Sequence, residues 1–414
     1  MATRVRIGAA ALLVALLATS VAHGSAAKRA DRIAAALAER GFDQPSVRCK
    51  GRHSKGCRFS ALRWKANGSV ERCRARVRVR RGSVRISRRR CAPEHSNLPW
   101  PDLGFNGAVS DHDVALSRRA GATTSRIVVN WGAVEEIRRN YDFSQVAPDY
   151  ERLVKAGVPP VVSVMGSPAW AWPAGLGECG LDLGCAFAPA RQFDADWQRL
   201  VIALIQRFPA MRGLEVWNEP NWNLFWPTGA DPGRYAELVS LADAAAGRTA
   251  ANPPIVFAGL YPGGGRLGWV EPDEFLSRAY AHGVRYDVLG VHSYPSRIGG
   301  GGFLADFREQ VEGLWKVAAE FGDEPRTWLT EVGVSTRGVS IVAASEQEQA
   351  TALTQIYDWS RRTRRIGLVI VHKLRDSVDI DGSAWGFGLG LRRADGTPKP
   401  AYCALAALRS LPCS

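Results

Sequence analysis

The chain has 414 residues, 46% of them hydrophobic and 23% charged, with a formal net charge of +14. That apolar content excludes a disordered chain, and the length suits a barrel of roughly 250 residues or more plus a small extra module. The charge is local: residues 1–100 hold 23 Lys+Arg against 5 Asp+Glu, net +18, while residues 101–414 hold 31 against 35, net −4.

The chain opens with Arg4 and Arg6 before the apolar run IGAAALLVALLATSVA, followed by small residues that offer cuts after Gly24 or Ala27. This pattern predicts a signal peptide over residues 1–27 and a secreted, extracellular protein; the run is short for a membrane span of about 20 residues. The eight cysteines agree with export. Cys179 with Cys185 and Cys403 with Cys413 are natural local pairs, while Cys49, Cys57, Cys73 and Cys91 allow three connectivities, among which the sequence does not choose. There is no C-x-x-C pair and no H-E-x-x-H, so no metal site and no cofactor are expected.

Residues 28–95 read as a small, basic, disulfide-stapled α+β module. KRADRIAAALAERGF is a predicted helix, and in RCRARVRVRRGSVRISRRRC the residues Val77, Val79, Val84 and Ile86 alternate with arginines, as half-buried strands require. Arg81-Gly82 sits where a hairpin would turn. The arginine face suits an anionic cell-surface polymer or, equally, a solvated spacer; nucleic acid is not expected as a partner of an exported protein. APEHSNLPWP reads as a short linker.

Residues 97–414 alternate short apolar strands with amphipathic helices. The strands are LGFNGAV, SRIVVNW, PPVVSVM, GLEVWN, PIVFAGL, YDVLGVHSY, TWLTEVG and GLVIVHKL. Between them, Trp197, Leu200, Val201, Leu204, Ile205 and Phe208 form the stripe of a helix that covers a sheet. Eight such units predict a parallel (β/α)8 TIM barrel, with a doubly wound open sheet as the alternative. The glycine-rich stretches PGGGRLG and GFGLG match no phosphate-binding pattern.

In a barrel the chemistry sits at the carboxyl ends of the strands. Those ends carry Arg126 and Trp131 (strand two), Trp170 and Trp172 (three), Asn218 and Glu219 with Trp222 and Trp226 (four), and Trp269 (five). His292 and Tyr294 end strand six, and Glu331 ends strand seven. Flat rings beside carboxylates suit a sugar, whose C–H faces stack while its hydroxyls hydrogen-bond. Trp197 and Trp359 read as core.

EVWNEPNWNLFW and TWLTEVG resemble the acid/base and nucleophile strands of clan A retaining glycoside hydrolases, with family 39 the closest likeness and family 5 next. The tail GFGLGLRRADGTPKPAYCALAAL is similar to their closing strand, loop and helix. The resemblance covers roughly residues 101–411 and implies a retaining β-glycosidase acting on oligo- or polysaccharides such as β-linked xylosides or glucosides. It implies Glu219 as acid/base, Glu331 as nucleophile, Asn218 on the sugar 2-hydroxyl, and Arg126 and Tyr294 as groups that orient Glu331. Trp131, Trp170, Trp222, His292 and Trp385 complete the expected substrate surface. One departure stands out. Family members usually carry an aromatic residue at the end of strand eight, where this chain reads VIVHKLRD, so His372, Lys373 or Trp385 would fill that place. Lys373 and Arg375 would suit an anionic substituent or, more simply, pair with loop aspartates. The alternative reading is a carbohydrate-binding barrel that has lost catalysis.

Overall fold

The computed structural model describes residues 28–37, 40, 42–49, 56–64, 70–80, 83–94, 98–177, 186–263, 269–297, 302–339, 342–377 and 385–413. The expected signal peptide, the Cys179–Cys185 pair and the Arg81-Gly82 turn lie outside these residues, as does the side chain of Trp385. Contacts divide the chain into two compact units, Met1–Asn97 and Leu98–Ser414. Among the described residues, no helix is long and apolar enough to cross a membrane.

In the first unit a helix over residues 28–37 (α1) precedes four antiparallel strands. These are β1 (Phe42–Cys49), β2 (Cys57–Trp64), β3 (Val70–Arg80) and β4 (Ser83–Pro93), paired in sequence order. Ile33 and Leu37 are one turn apart in α1, and both bury in a core with Phe42, Phe59, Ala61, Ala75, Val77 and Val84. Strand alternation does the rest: Cys73, Ala75 and Val77 point into that core, whereas Arg74, Arg76 and Arg78 between them are exposed. Disulfides Cys49–Cys57 and Cys73–Cys91 select one of the three connectivities. Each joins residues directly opposed on neighbouring strands. The last strand runs through Pro93, so Ala92-Pro93 belongs to the sheet rather than to the linker read from the sequence.

In the second unit all eight predicted strands form and close. They are β5 (Asp102–Asn106), β6 (Thr124–Asn130), β7 (Pro160–Met165), β8 (Gly213–Val216), β9 (Ile255–Phe257), β10 (Val288–Ser293), β11 (Arg326–Val332) and β12 (Ile366–Val371). Each pairs in parallel with its sequence neighbours, and β12 returns to β5. Closure rules out the doubly wound open sheet and gives the (β/α)8 barrel. The helices pack outside: α2 (Asp111–Arg119), α3 (Trp131–Val134), α4 (Ala147–Lys155), α5 (Asp194–Arg207), α6 (Pro232–Ala246), α7 (Pro272–Ala281), α8 (Phe303–Glu320), α9 (Glu346–Thr363) and α10 (Pro400–Leu408).

The helix layer follows sequence pattern closely. In α5 the buried set includes Trp197, Leu200, Val201, Leu204 and Ile205, the stripe that the spacing predicts. Trp197 and Trp359 are both core, as read. Helix α9 starts where Ser345 and Glu348 satisfy each other's backbone N–H groups in a capping box. The end of α10 is tied by the expected Cys403–Cys413 disulfide.

Candidate active site

Glu219 follows β8, and Glu331 is the penultimate residue of β11. Barrel closure brings these two, together with His292 from β10, to one place at the carboxyl ends of the strands. One oxygen of each carboxylate and a ring nitrogen of His292 all lie within 4.8 Å of one another. Retaining glycosidases hold their two carboxyls about 5–5.5 Å apart, and inverting ones about 6.5–9.5 Å apart. Register explains the placement of His292, which pairs directly with Glu331 across β10 and β11.

The backbone after β8 is bent to present Glu219. Trp217 and Glu219 both adopt positive φ, 76° and 43°, although neither is glycine. Such conformations cost about 1–3 kcal/mol each and persist only where the surroundings enforce them. Here the Trp217 amide donates to Val164 O (2.8 Å), and its indole Nε1 donates to Phe225 O (2.7 Å). The Glu219 amide donates to Gly259 O (3.1 Å). Asn221 is a clasp: its Nδ2 donates to Tyr261 O and Val270 O, and its Oδ1 accepts from the Tyr261 amide. That clasp locks the loop after β8 to the loop after β9. It also seats Tyr261 against Trp222, stacked at 4.3 Å, with Trp269 edge-on to both.

Arg126 organises the floor. Only 1% exposed, it donates Nε to Glu215 Oε2 (2.6 Å), Nη1 to Glu331 Oε1 (2.8 Å) and Nη2 to Asn218 Oδ1 (2.9 Å). Fixing the Asn218 oxygen leaves that amide's N–H groups to face a ligand hydroxyl. Glu215 itself is buried and takes the Gly259 amide on its other oxygen at 3.2 Å.

Glu331 is surrounded by donors. Oε1 accepts from Arg126 and from Asn106 Nδ2 (3.1 Å); Oε2 accepts from the Tyr294 hydroxyl and lies 3.0 Å from His372 Nδ1. The same His372 nitrogen is 3.3 Å from Asn106 Nδ2. The contact with Glu331 is a hydrogen bond only if Nδ1 carries a proton, and the contact with Asn106 only if it does not. The proton's position on His372 therefore decides how tightly Glu331 is held.

These surroundings push the two carboxyls apart. Burial raises the pKa of Glu331, but His292, His372 and Arg126 outweigh it and hold the group well below the ordinary carboxylate range. Burial raises Glu219, and its contact with His292 (2.9 Å) only partly opposes this, so Glu219 titrates above its ordinary value. Burial also lowers the imidazole of His292, but the charges of Glu331 and Glu219 more than reverse that. Tyr294 is driven well above its usual value by burial and then by both carboxylates, so it remains a neutral donor. Glu219, His292 and Glu331 are also metal-ligating types, yet the guanidinium on Glu331 would repel a second cation beside it.

Several residues are placed differently from their sequence reading. Trp131 is fully buried in α3, donates to Glu135 (2.6 Å) and packs on Trp170 and Trp197, so it supports the helix layer and offers no face to a sugar. Trp170 is half-buried against Trp131, Phe193 and Arg138, and its indole donates to Glu135 O. Trp226 is buried against Trp217. Among the described residues Arg375 pairs with Asp113; Asp379 and Asp381 of its own loop lie outside them. Four site residues had not been singled out for the place they occupy: Asn106, Glu215, Tyr261 and, as a ligand of Glu331, His372. Tyr261 lies close enough to Glu219 that, after burial, the carboxylate raises its pKa further.

Gly259 gives a direct test of the His292–Glu219 contact. A Cβ there would fall 1.9 Å from His292 Cδ2, so the ring must move. Misplacing a reacting group by about 1 Å costs on the order of 10²-fold. Gly259→Ala is accordingly expected to lower kcat/KM by about that factor with little change in far-UV circular dichroism.

No protein-family model matches the chain. Solved structures do. A family 39 glycoside hydrolase from Bacteroides cellulosilyticus aligns with 89% of this chain and 76% of its own, at 19% identity and a TM-score of 0.59. A monomeric β-xylosidase from Caulobacter crescentus aligns over 76% and 69%, at 18% identity and 0.55. A family 5 enzyme (GH5_18) from Bifidobacterium longum in complex with Manβ1-4GlcNAc aligns over 75% and 78%, at 16% identity and 0.54. Solved structures that this chain resembles thus include members of glycoside hydrolase families 39 and 5, and what it shares with them is the fold.

Proposed function

We propose that the protein is a secreted retaining β-glycosidase that hydrolyses O-glycosidic bonds in oligo- or polysaccharides by double displacement. The observation that carries this is a pair of carboxyls within 4.8 Å whose surroundings lower one and raise the other. Glu331, ionised, attacks the anomeric carbon while Glu219 gives its proton to the departing oxygen. Glu219, now ionised, then takes a proton from water as that water displaces Glu331. Asn218 binds the 2-hydroxyl, Trp222 and Tyr261 form a ring surface beside Glu219, and Tyr294, Arg126, Asn106 and His372 steady Glu331. Trp170 is kept as a peripheral contact only.

Likeness to a β-xylosidase and to a family 39 hydrolase supports β-linked xylosides or glucosides as substrates. The disulfides and the apolar leader support export, and the basic first unit is assigned an anionic polymer as its partner.

A carbohydrate-binding barrel without turnover is the competing reading, kept open by His372, which stands at the end of the eighth strand where an aromatic residue is expected and lies against Glu331. A panel of aryl β-glycosides separates the two. The enzyme reading predicts turnover with a bell-shaped pH profile. Its acid limb lies below the ordinary carboxylate range, because protonation silences the depressed Glu331. Its alkaline limb lies above that range, because the raised Glu219 loses its proton there. Sugar binding with no turnover anywhere on the panel selects the binder.

A further inference from the structure

The exposed face of the four-stranded sheet in the first unit narrows the chemistry of the anionic polymer given to that unit. Alternation puts Ser46 and Arg48 of β1, Arg58 and Ser60 of β2, and Arg74, Arg76 and Arg78 of β3 on this face, opposite the core. Arg85, Arg88 and Arg90 of β4 join them. Register sets like charges side by side: Arg48 opposes Arg58, Arg58 opposes Arg76, Arg74 opposes Arg90, and Arg78 opposes Arg85. Directly opposed like charges destabilise a sheet. Among the described residues, none of these eight arginines pairs with a carboxylate; Arg72, on the same face and lining the same groove, pairs with Glu94.

Two further features point to a ligand. The register of β3 against β4 shifts between Arg74 and Arg76, and within that bulge Arg88 adopts a φ of 53°, a conformation that favours glycine. The bulge turns Arg88 towards the side that Arg90 faces, and both line one groove of about 1070 Å³ with Arg48, Arg58, Arg74 and Arg76. The cations of the groove are also all arginine. A planar guanidinium grips a planar two-oxygen anion with two parallel hydrogen bonds, which lysine cannot do.

We propose that this groove binds a linear polysaccharide bearing carboxylates on its sugars. Alternate residues along a strand are about 6.8 Å apart and neighbouring strands about 4.8 Å apart, so the face is a two-dimensional grid of cations suited to a chain of regularly spaced anions. The groove lining has no tryptophan or tyrosine for base stacking, and its one phenylalanine, Phe59, is buried in the core. Nor, among the described residues, does the groove lining present large exposed apolar side chains to insert into a bilayer. The choice of a polysaccharide rests on the reading of the barrel as a glycosidase.

Binding should be measured on the full chain carrying Glu331→Ala, so that turnover plays no part. Polygalacturonate is the probe, with neutral dextran, dextran sulfate, duplex DNA and phosphatidylglycerol vesicles as comparisons. Polygalacturonate is expected to bind, to weaken steeply between low and high salt, and to lose at least about tenfold in affinity in the Arg74→Ser/Arg76→Ser/Arg90→Ser variant. That variant should keep or raise the melting temperature, since it removes repulsion, and in the Glu331-containing background it should leave aryl glycoside turnover unchanged. The matching Arg→Lys triple should bind more weakly than the parent at equal charge. Equal binding by the serine variant, or by neutral dextran, overturns the site. Tighter binding of dextran sulfate, DNA or vesicles at matched salt overturns the carboxylated polysaccharide as its ligand. Because binding and turnover are read separately, a barrel that proves inert leaves this test intact.

Discussion

Glu331→Ala is expected to lower kcat by at least about 10⁴-fold, because the step that forms the covalent intermediate loses its nucleophile. Added azide should then attack the anomeric carbon directly and yield a glycosyl azide of inverted configuration. Glu219→Ala should behave differently. With a poor leaving group the loss is on the order of 10²–10⁴-fold, the usual worth of general acid catalysis, whereas an activated aryl leaving group needs little protonation and should still depart. Glu331 still forms the intermediate in that variant, so azide should give a product of retained configuration. Swapped azide products would exchange the two roles. Unchanged turnover in both variants would remove the pair from the chemistry altogether.

Arg126→Met should be the most destabilising single change in the site. The guanidinium is the cation that Glu215 and Glu331 share in the buried floor, and it also fixes Asn218. Breaking a buried ion pair by removing one partner costs about 3–5 kcal/mol, because a charge is left without compensation. Denaturant unfolding should show a loss of that size. Activity should shift as well: Arg126 helps hold Glu331 low, so its removal lets Glu331 protonate at higher pH and moves the acid limb of kcat/KM upward. A variant with unchanged stability and an unchanged acid limb would contradict the role given to Arg126.

The barrel was legible because its strands are short apolar runs that alternate with amphipathic helices, although closure itself was shown only by the return of β12 to β5. Glu219 and Glu331 were legible for a related reason: each ends a strand, beside residues whose types suit a sugar. Asn106 and Glu215 were not, since each is a polar residue in or closing an apolar strand. Only closure of β12 onto β5 sets Asn106 beside Glu331, and only the fold shows Glu215 under Arg126. His372 stood out as a departure from the expected aromatic, but its contact with Glu331 depended on the pairing of β12 with β11, where the His372 amide donates to Val332 O.

Trp131 shows where strand-end reasoning fails. A tryptophan after a strand turns either towards the mouth or back into the helix layer, and the direction depends on the next turn of backbone. Here that turn is helical, and Glu135 four residues on captures the indole N–H. The spacing of Trp131 and Glu135 was visible in the sequence and was the one clue to the outcome. In the first unit, alternation gave the arginine face directly, whereas the disulfide partners required the register.

Proton NMR of the first-formed product, recorded with the unmutated protein on an aryl β-glycoside before the sugar mutarotates, tests the central claim most directly. Two displacements at one carbon restore the starting configuration, so the β-anomer should appear first and the α-anomer should grow in only as mutarotation proceeds. If the α-anomer appears first, the reaction is a single displacement, and Glu331 is not the nucleophile.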